Sequence, residues 1–325
     1  MRLLIWGIGV LGAVWCLYWV AGSATLDAQV EAMLDSPQAL TLSRQDVSVT
    51  GFPNRFDLTV TGPSVTDPAT GIGWAAPFVQ VFAMTWKPWH VIAALPGEQT
   101  ITLPDQSVRV TSDRFRGSVQ VTPDADLALQ TVVIEADQLA ITSTLGPRLR
   151  LERGVLSTAA DPTRLNSHRI GLQVTNLAPP LVTPTDLPEI IARLHLDAHL
   201  LLSAALDRHA ADTLPQLTGI EIADLSIDWG PMRVQASGSI SATSDGTAQG
   251  VIDLRIGNWR LLPGAMAALG AIKPEVAPTL LRAMELLAEG GADPAVLTLP
   301  LTFRNGRTSL GVLPLGPAPV IAYRQ

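Results

Sequence analysis

The chain has 325 residues, 47% of them apolar and 16% charged, and 22 basic against 29 acidic residues leave a net charge of −7. That composition excludes an intrinsically disordered chain, which needs low hydrophobicity and high net charge. The acidic balance also excludes the basic surface that nucleic-acid phosphates require. All basic residues but Lys87 and Lys273 are arginines, a bias with no functional content of its own. The length suits about two domains or one large β-rich one.

The first element is apolar. After Arg2 no charge appears until Asp27, and the core LLIWGIGVLGAVWCLYWVAG is long enough as a helix to cross about 30 Å of hydrocarbon. Trp15, Tyr18 and Trp19 gather at its distal end, where amphipathic rings favour the membrane interface. Arg2, the leading charge, predicts a cytoplasmic N-terminus with the rest of the chain on the far side. The competing reading is a cleaved signal peptide, with Val20-Ala21-Gly22-Ser23-Ala24 as the small-residue site. The single leading charge, the long apolar run and the bulky aromatics favour an uncleaved anchor over residues 1–24, in the membrane through 3–24. Gly7, Gly9 and Gly12 fit the G-x-G-x-x-G pattern, but the following residues are apolar all round and no βαβ unit follows, so no dinucleotide site is read there. Cys16, the only cysteine, lies in the same segment, which leaves residues 25–325 without a disulfide or a thiol nucleophile.

Residues 26–34 predict a short helical continuation that stops before Ser36-Pro37. From there period-2 alternation dominates, first at Val47 and Val49, then at Phe56, Leu58 and Val60. Further strands are expected near 78–86, 100–103, 108–111, 118–122, 129–134, 139–143, 148–151 and 170–177, with Gly, Pro, Asp and Asn punctuation between them. A short helix is expected at 188–194. A hairpin follows, with Leu225, Ile227 and Trp229 on one arm and Met232, Val234 and Ala236 on the other. Ser244-Asp245-Gly246 and Asn305-Gly306 mark two more turns, the second a strong hairpin signal. Two helices are expected at 263–270 and 275–289, and in the second Val276, Leu280, Leu281, Met284 and Leu287 form an apolar stripe to cover a sheet face. The fold class expected is mainly β (α+β): a large antiparallel, strongly curved sheet or β-groove with a few covering helices, preceded by one transmembrane helix. Residues 25–325 read as one β-rich domain, or as two subdomains meeting near 180–190.

Several phrases carry a resemblance in order and spacing: GFPNRFD from Gly51, DPATGIGWAAP from Asp67, Lys87-Pro88, Pro215-Gln216-Leu217, Asp228-Trp229-Gly230, Asn258-Trp259-Arg260, and LTLPLTFRNGRTSLGVLPLGPAP from Leu297. Over nearly the whole chain they resemble the bacterial family catalogued as domain of unknown function 2125, of Gram-negative species. The resemblance implies an anchored protein of the inner membrane whose bulk lies in the periplasm, and it brings no activity, cofactor or catalytic residue. An anchor followed by a G-F-P element and amphipathic β-sheet is also similar in architecture to AsmA-type envelope proteins, which form lipid-associated β-grooves. That likeness of architecture is weak ground for function.

Chemistry is sparse. His195, Asp197 and His199 would share one face of a strand and so could present a zinc-type ligand set. No fourth ligand is apparent, and a polar outer strand face explains the pattern as well. No G-x-S-x-G elbow, H-E-x-x-H helix or phosphate loop occurs beyond the anchor. No catalytic residue, metal ligand or cofactor is therefore expected, and the chain does not read as an enzyme. Trp74, Phe78, Phe82, Trp86 and Trp89 form the aromatic-rich stretch that would line an apolar groove if one exists, with ordinary core packing as the competing reading. Two functions remain: a membrane-tethered periplasmic protein that binds lipid or assists envelope assembly, and a non-enzymatic structural or partner-binding envelope module.

Overall fold

The computed structural model describes residues 2–35, 40–146, 148–211, 213–288 and 293–322. Strand accounts for 54% of the chain. The twenty strands described are antiparallel to their ladder partners, which is the mainly β fold that the alternation predicts. Two compact units emerge: residues 1–123 with 134–146, and residues 124–133 with 147–325.

The first unit begins with α1 (Arg2–Asp35), one continuous helix that joins the apolar segment to its expected continuation. A run at Val10–Gln29 is long and apolar enough to cross a membrane. Two ladders follow. One joins β1 (Thr41–Ser43), β4 (Ser64–Thr66), β5 (Gly73–Ala75), β8 (Glu98–Thr102), β9 (Ser107–Thr111) and the distal part of β11 (Leu129–Ser143). The other joins β2 (Asp46–Thr50), β3 (Arg55–Thr61), β6 (Phe78–Met84), β7 (Lys87–Leu95) and β10 (Arg114–Val121). On this second ladder Phe56 pairs with Ala83, Leu58 with Val81, and Ala83 with Val91, which puts these apolar side chains on one face.

The second unit is a meander. β12 (Arg148–Ala160), β13 (Ser167–Leu177), β14 (Ile191–Leu202), β15 (Leu217–Trp229), β16 (Met232–Ala242), β17 (Ala248–Gly257), β18 (Val296–Arg304), β19 (Arg307–Leu310) and β20 (Leu313–Pro317) each pair with the next. The expected hairpin is present, with Trp229 opposite Met232. α2 (Leu262–Ala268) and α3 (Ala277–Ala288) interrupt the meander between β17 and β18 and cover its apolar face. Trp259 and Met284 are fully buried there against Ile256, Leu297 and Leu299.

Two expectations meet a different structure. No helix forms at 188–194: residues 188–190 are irregular and residues 191–194 open β14, whose ladders to β13 and β15 satisfy its backbone on both sides. Residues 180–190 do not separate the units; they lie within the second, and the division falls inside β11. In this proline-rich stretch Leu181 and Leu187 pack with Trp229, whose indole N–H donates to the Pro188 carbonyl at 2.6 Å.

Candidate functional site: an apolar groove beside the N-terminal helix

α1 is docked on its own unit through one helical face. Trp15, Tyr18, Trp19 and Gly22 recur at helical spacing. The Trp15 indole N–H donates to the Pro53 carbonyl at 2.9 Å and that of Trp19 to the Arg55 carbonyl at 2.7 Å, while the Tyr18 hydroxyl donates to the Thr85 carbonyl at 3.2 Å. All three acceptors lie at the β2–β3 and β6–β7 turns. Trp19 meets Phe52 edge-on at 5.3 Å between ring centroids and stacks on Phe56 at 6.1 Å. Gly22 permits this approach, since a Cβ there would lie 2.8 Å from the Phe56 ring. Leu11, one turn ahead of the docked residues, and Val14 and Leu17, on other faces of α1, stay exposed.

Just beyond the docked aromatics, helix and sheet part to enclose a groove of about 550 Å³. The sheet wall is Phe56, Leu58, Val81, Ala83, Pro88 and Val91; the helix wall is Tyr18, Ala21, Gly22, Thr25, Leu26 and Gln29. The small residues Ala21, Gly22 and Ala83 leave the space open. Its volume falls within the roughly 300–1,000 Å³ of ordinary ligand sites. Among the described residues no carboxylate, imidazole, amine or guanidinium lines it, so its chemistry suits an apolar chain.

The opposite face of the same strands bears a second cavity, of about 300 Å³, with Arg55, Phe82, Met84, Lys87, His90 and Ile92 among its walls. Arg55 chelates the Asp57 carboxylate at 2.6 and 2.5 Å and lies 5.6 Å from the Phe82 ring centroid. Lys87 donates to the Gln120 side-chain oxygen at 3.3 Å.

Of the five aromatic candidates, Phe82 lines this second cavity. Phe78 opens the same strand opposite Thr61. Trp86 sits exposed in the β6–β7 turn, and Trp89 is half-buried on β7. Trp74 belongs to the other ladder, where its indole donates to Gln99 at 3.0 Å. None of the five is in the wall of the larger groove. Sequence reasoning missed the groove because its helix wall is the apolar segment itself. The usable signal was the run of Trp15, Tyr18, Trp19 and Gly22 on one helix face.

In the second unit, His195, Asp197 and His199 do share one face of β14, beside a trough of about 440 Å³ that His195, Asp197 and Arg169 help to line. Arg169 chelates Asp197 at 2.8 and 2.6 Å and holds its carboxyl below the usual carboxylate range. His195 stands 3.7 Å from Asp224, and His199 3.4 Å from Asp161. Each imidazole thus faces a different carboxylate, and the central one is already taken by a guanidinium. Among the described residues no group of three or more His, Cys, Asp or Glu side chains is placed to hold a metal ion.

A family model described as an uncharacterized protein conserved in bacteria, domain of unknown function 2125, matches residues 19–319. No curated protein and no solved structure matches the chain.

Proposed function

From the premise that this chain belongs to the bacterial family domain of unknown function 2125, we propose that it is an inner-membrane-anchored periplasmic protein that takes a phospholipid acyl chain into the groove between α1 and the β3–β6–β7 face. The observation that carries this reading is the groove's composition and place. It is an apolar space of about 550 Å³, and one wall is the same helix that is long and apolar enough to span a bilayer. Each CH₂ moved from water into such a space contributes about 0.8 kcal/mol, so a partly buried acyl chain offsets the freedom lost on binding.

An uncleaved anchor fits the docking. Cleavage after Ala24 would remove every side chain that caps the Pro53, Arg55 and Thr85 carbonyls. A binding role, rather than catalysis, fits the groove's lack of ionisable walls other than Tyr18.

The test is native mass spectrometry and lipid extraction of the full chain released from detergent, beside an Ala83→Trp variant that fills the groove. Phospholipid is expected with the wild type and is lost from the variant, while both stay in the membrane fraction with the same β-rich circular dichroism. A lipid-free wild type would overturn the acyl-chain reading and favour a partner-binding envelope module.

A further inference from the structure

The turns that hold α1 carry an unusual set of exposed side chains. Phe52 in the β2–β3 turn is 54% exposed, and Met84 and Trp86 at the β6–β7 turn are 42% and 56% exposed. Three large apolar groups at one end of a unit mark an interaction surface. The length of α1 says what covers it. Ahead of the docked face, residues 3–14 rise only about 18 Å as a helix. A bilayer's hydrocarbon core is about 30 Å thick. The balance must be crossed by the part of α1 from Trp15 to Gly22, the part bound to these turns.

We infer that the two turns are immersed in the outer leaflet, with Phe52, Met84 and Trp86 among the acyl chains and headgroup boundary. This rests on the membrane-anchor reading above but not on the lipid groove.

The hydrogen bonding of the turns suits that depth. Irregular backbone is tolerated in a membrane only where its polar groups are satisfied by protein. The Pro53, Arg55 and Thr85 carbonyls accept from Trp15, Trp19 and Tyr18. The Asn54 carbonyl accepts from the Thr85 N–H and hydroxyl, each at 3.1 Å, and the Gly51 carbonyl from the Arg55 N–H at 3.0 Å. Beside the apolar tip the two basic side chains are held by protein partners, Arg55 by Asp57 and Lys87 by Gln120, so neither charge is left without a partner there. Trp86 is the residue type that favours this boundary.

The experiment uses the full chain in nanodiscs of phosphatidylethanolamine and phosphatidylglycerol. Cys16→Ala removes the only cysteine. Single cysteines then replace Val14, Met84, Trp86 or Glu98 and carry a bimane fluorophore. Glu98 lies past the far end of β7. Doxyl-labelled phospholipid is expected to quench bimane at 14, 84 and 86, with no loss at 98. Quenching at 14 alone would leave the anchor in place and overturn immersion of the turns. Quenching at none of the four sites would overturn the anchor and this inference together. Equal quenching at 98 would also overturn it, because immersion would no longer be confined to the turns.

Discussion

Asp197 shows how a suggestive motif resolves at the residue scale. Its place between two histidines on a strand face was legible from alternation; its partner was not, because Arg169 lies on the neighbouring strand. The chelating guanidinium lowers the carboxyl's pKa from its ordinary 3.8, with smaller contributions from His199 and His195. A depressed folded-state pKa means stability that is present above the unfolded value and is lost as pH falls through the folded one. Asp197→Asn should therefore be less stable than the wild type at pH 7, and the gap should close below about pH 4. The gap should be small, because Arg169 is well exposed and solvent screens the pair. Urea melts of both proteins across that range check it; a gap that persists unchanged in acid would mean the ion pair is not its source.

At the scale of elements, β16 and β17 depend on two glycines. Gly238 pairs with Ile252 and Gly250 with Ile240, at φ of +145° and +150°. A Cβ at Gly250 would lie 2.1 Å from the Ser239 carbonyl oxygen, and one at Gly238 2.3 Å from that of Val251. Backbone on both sides leaves nothing to rotate away. Gly250→Ala should cost at least about 1–3 kcal/mol. Gly264→Ala, within α2 and with nothing near its Cβ, should instead stabilise by about 0.4–1 kcal/mol. Chemical denaturation distinguishes the two, and equal effects would refute the backbone-clash account. Elements were legible where local chemistry decides: Asn305-Gly306 turns β18 into β19, and α2 and α3 lie within two residues of the expected helices over their described lengths, α3 with the stripe that marked it. Elements decided by neighbours were not. Residues 129–134 and 139–143 read as two strands but form one, β11, which continues through Gln138 at φ +50°. The 188–194 segment lacks a clear period of its own, and its residues from Ile191 on become strand because β13 and β15 flank them.

For the whole molecule, the anchor reading turns on which way and how permanently α1 crosses the membrane. On the proposed anchor reading, charge predicts the direction: Arg2 precedes the apolar run and Asp27 follows it, so by the positive-inside rule the first residues are expected in the cytoplasm and both β-rich units in the periplasm. The expectation that it is retained rests on packing. Trp15, Tyr18 and Trp19 sit ahead of the small residues 20–24 that a signal peptidase would select, and their docking on the first unit, with Gly22 against Phe56, makes that segment part of the folded structure. Those side chains were legible as membrane-interface aromatics, but their acceptors, more than 30 residues away in two turns, were not, since no periodicity links a helix face to the carbonyl of a distant turn. A periplasm-active reporter fused after Gln325 should be active, and the fusion should stay with the membrane through alkaline carbonate extraction at full length. An inactive reporter would reverse the topology. Release as a shortened soluble species would place cleavage near Ala24 and remove the docked part of α1, taking Tyr18, Ala21 and Gly22 from the helix wall of the groove together with the anchor.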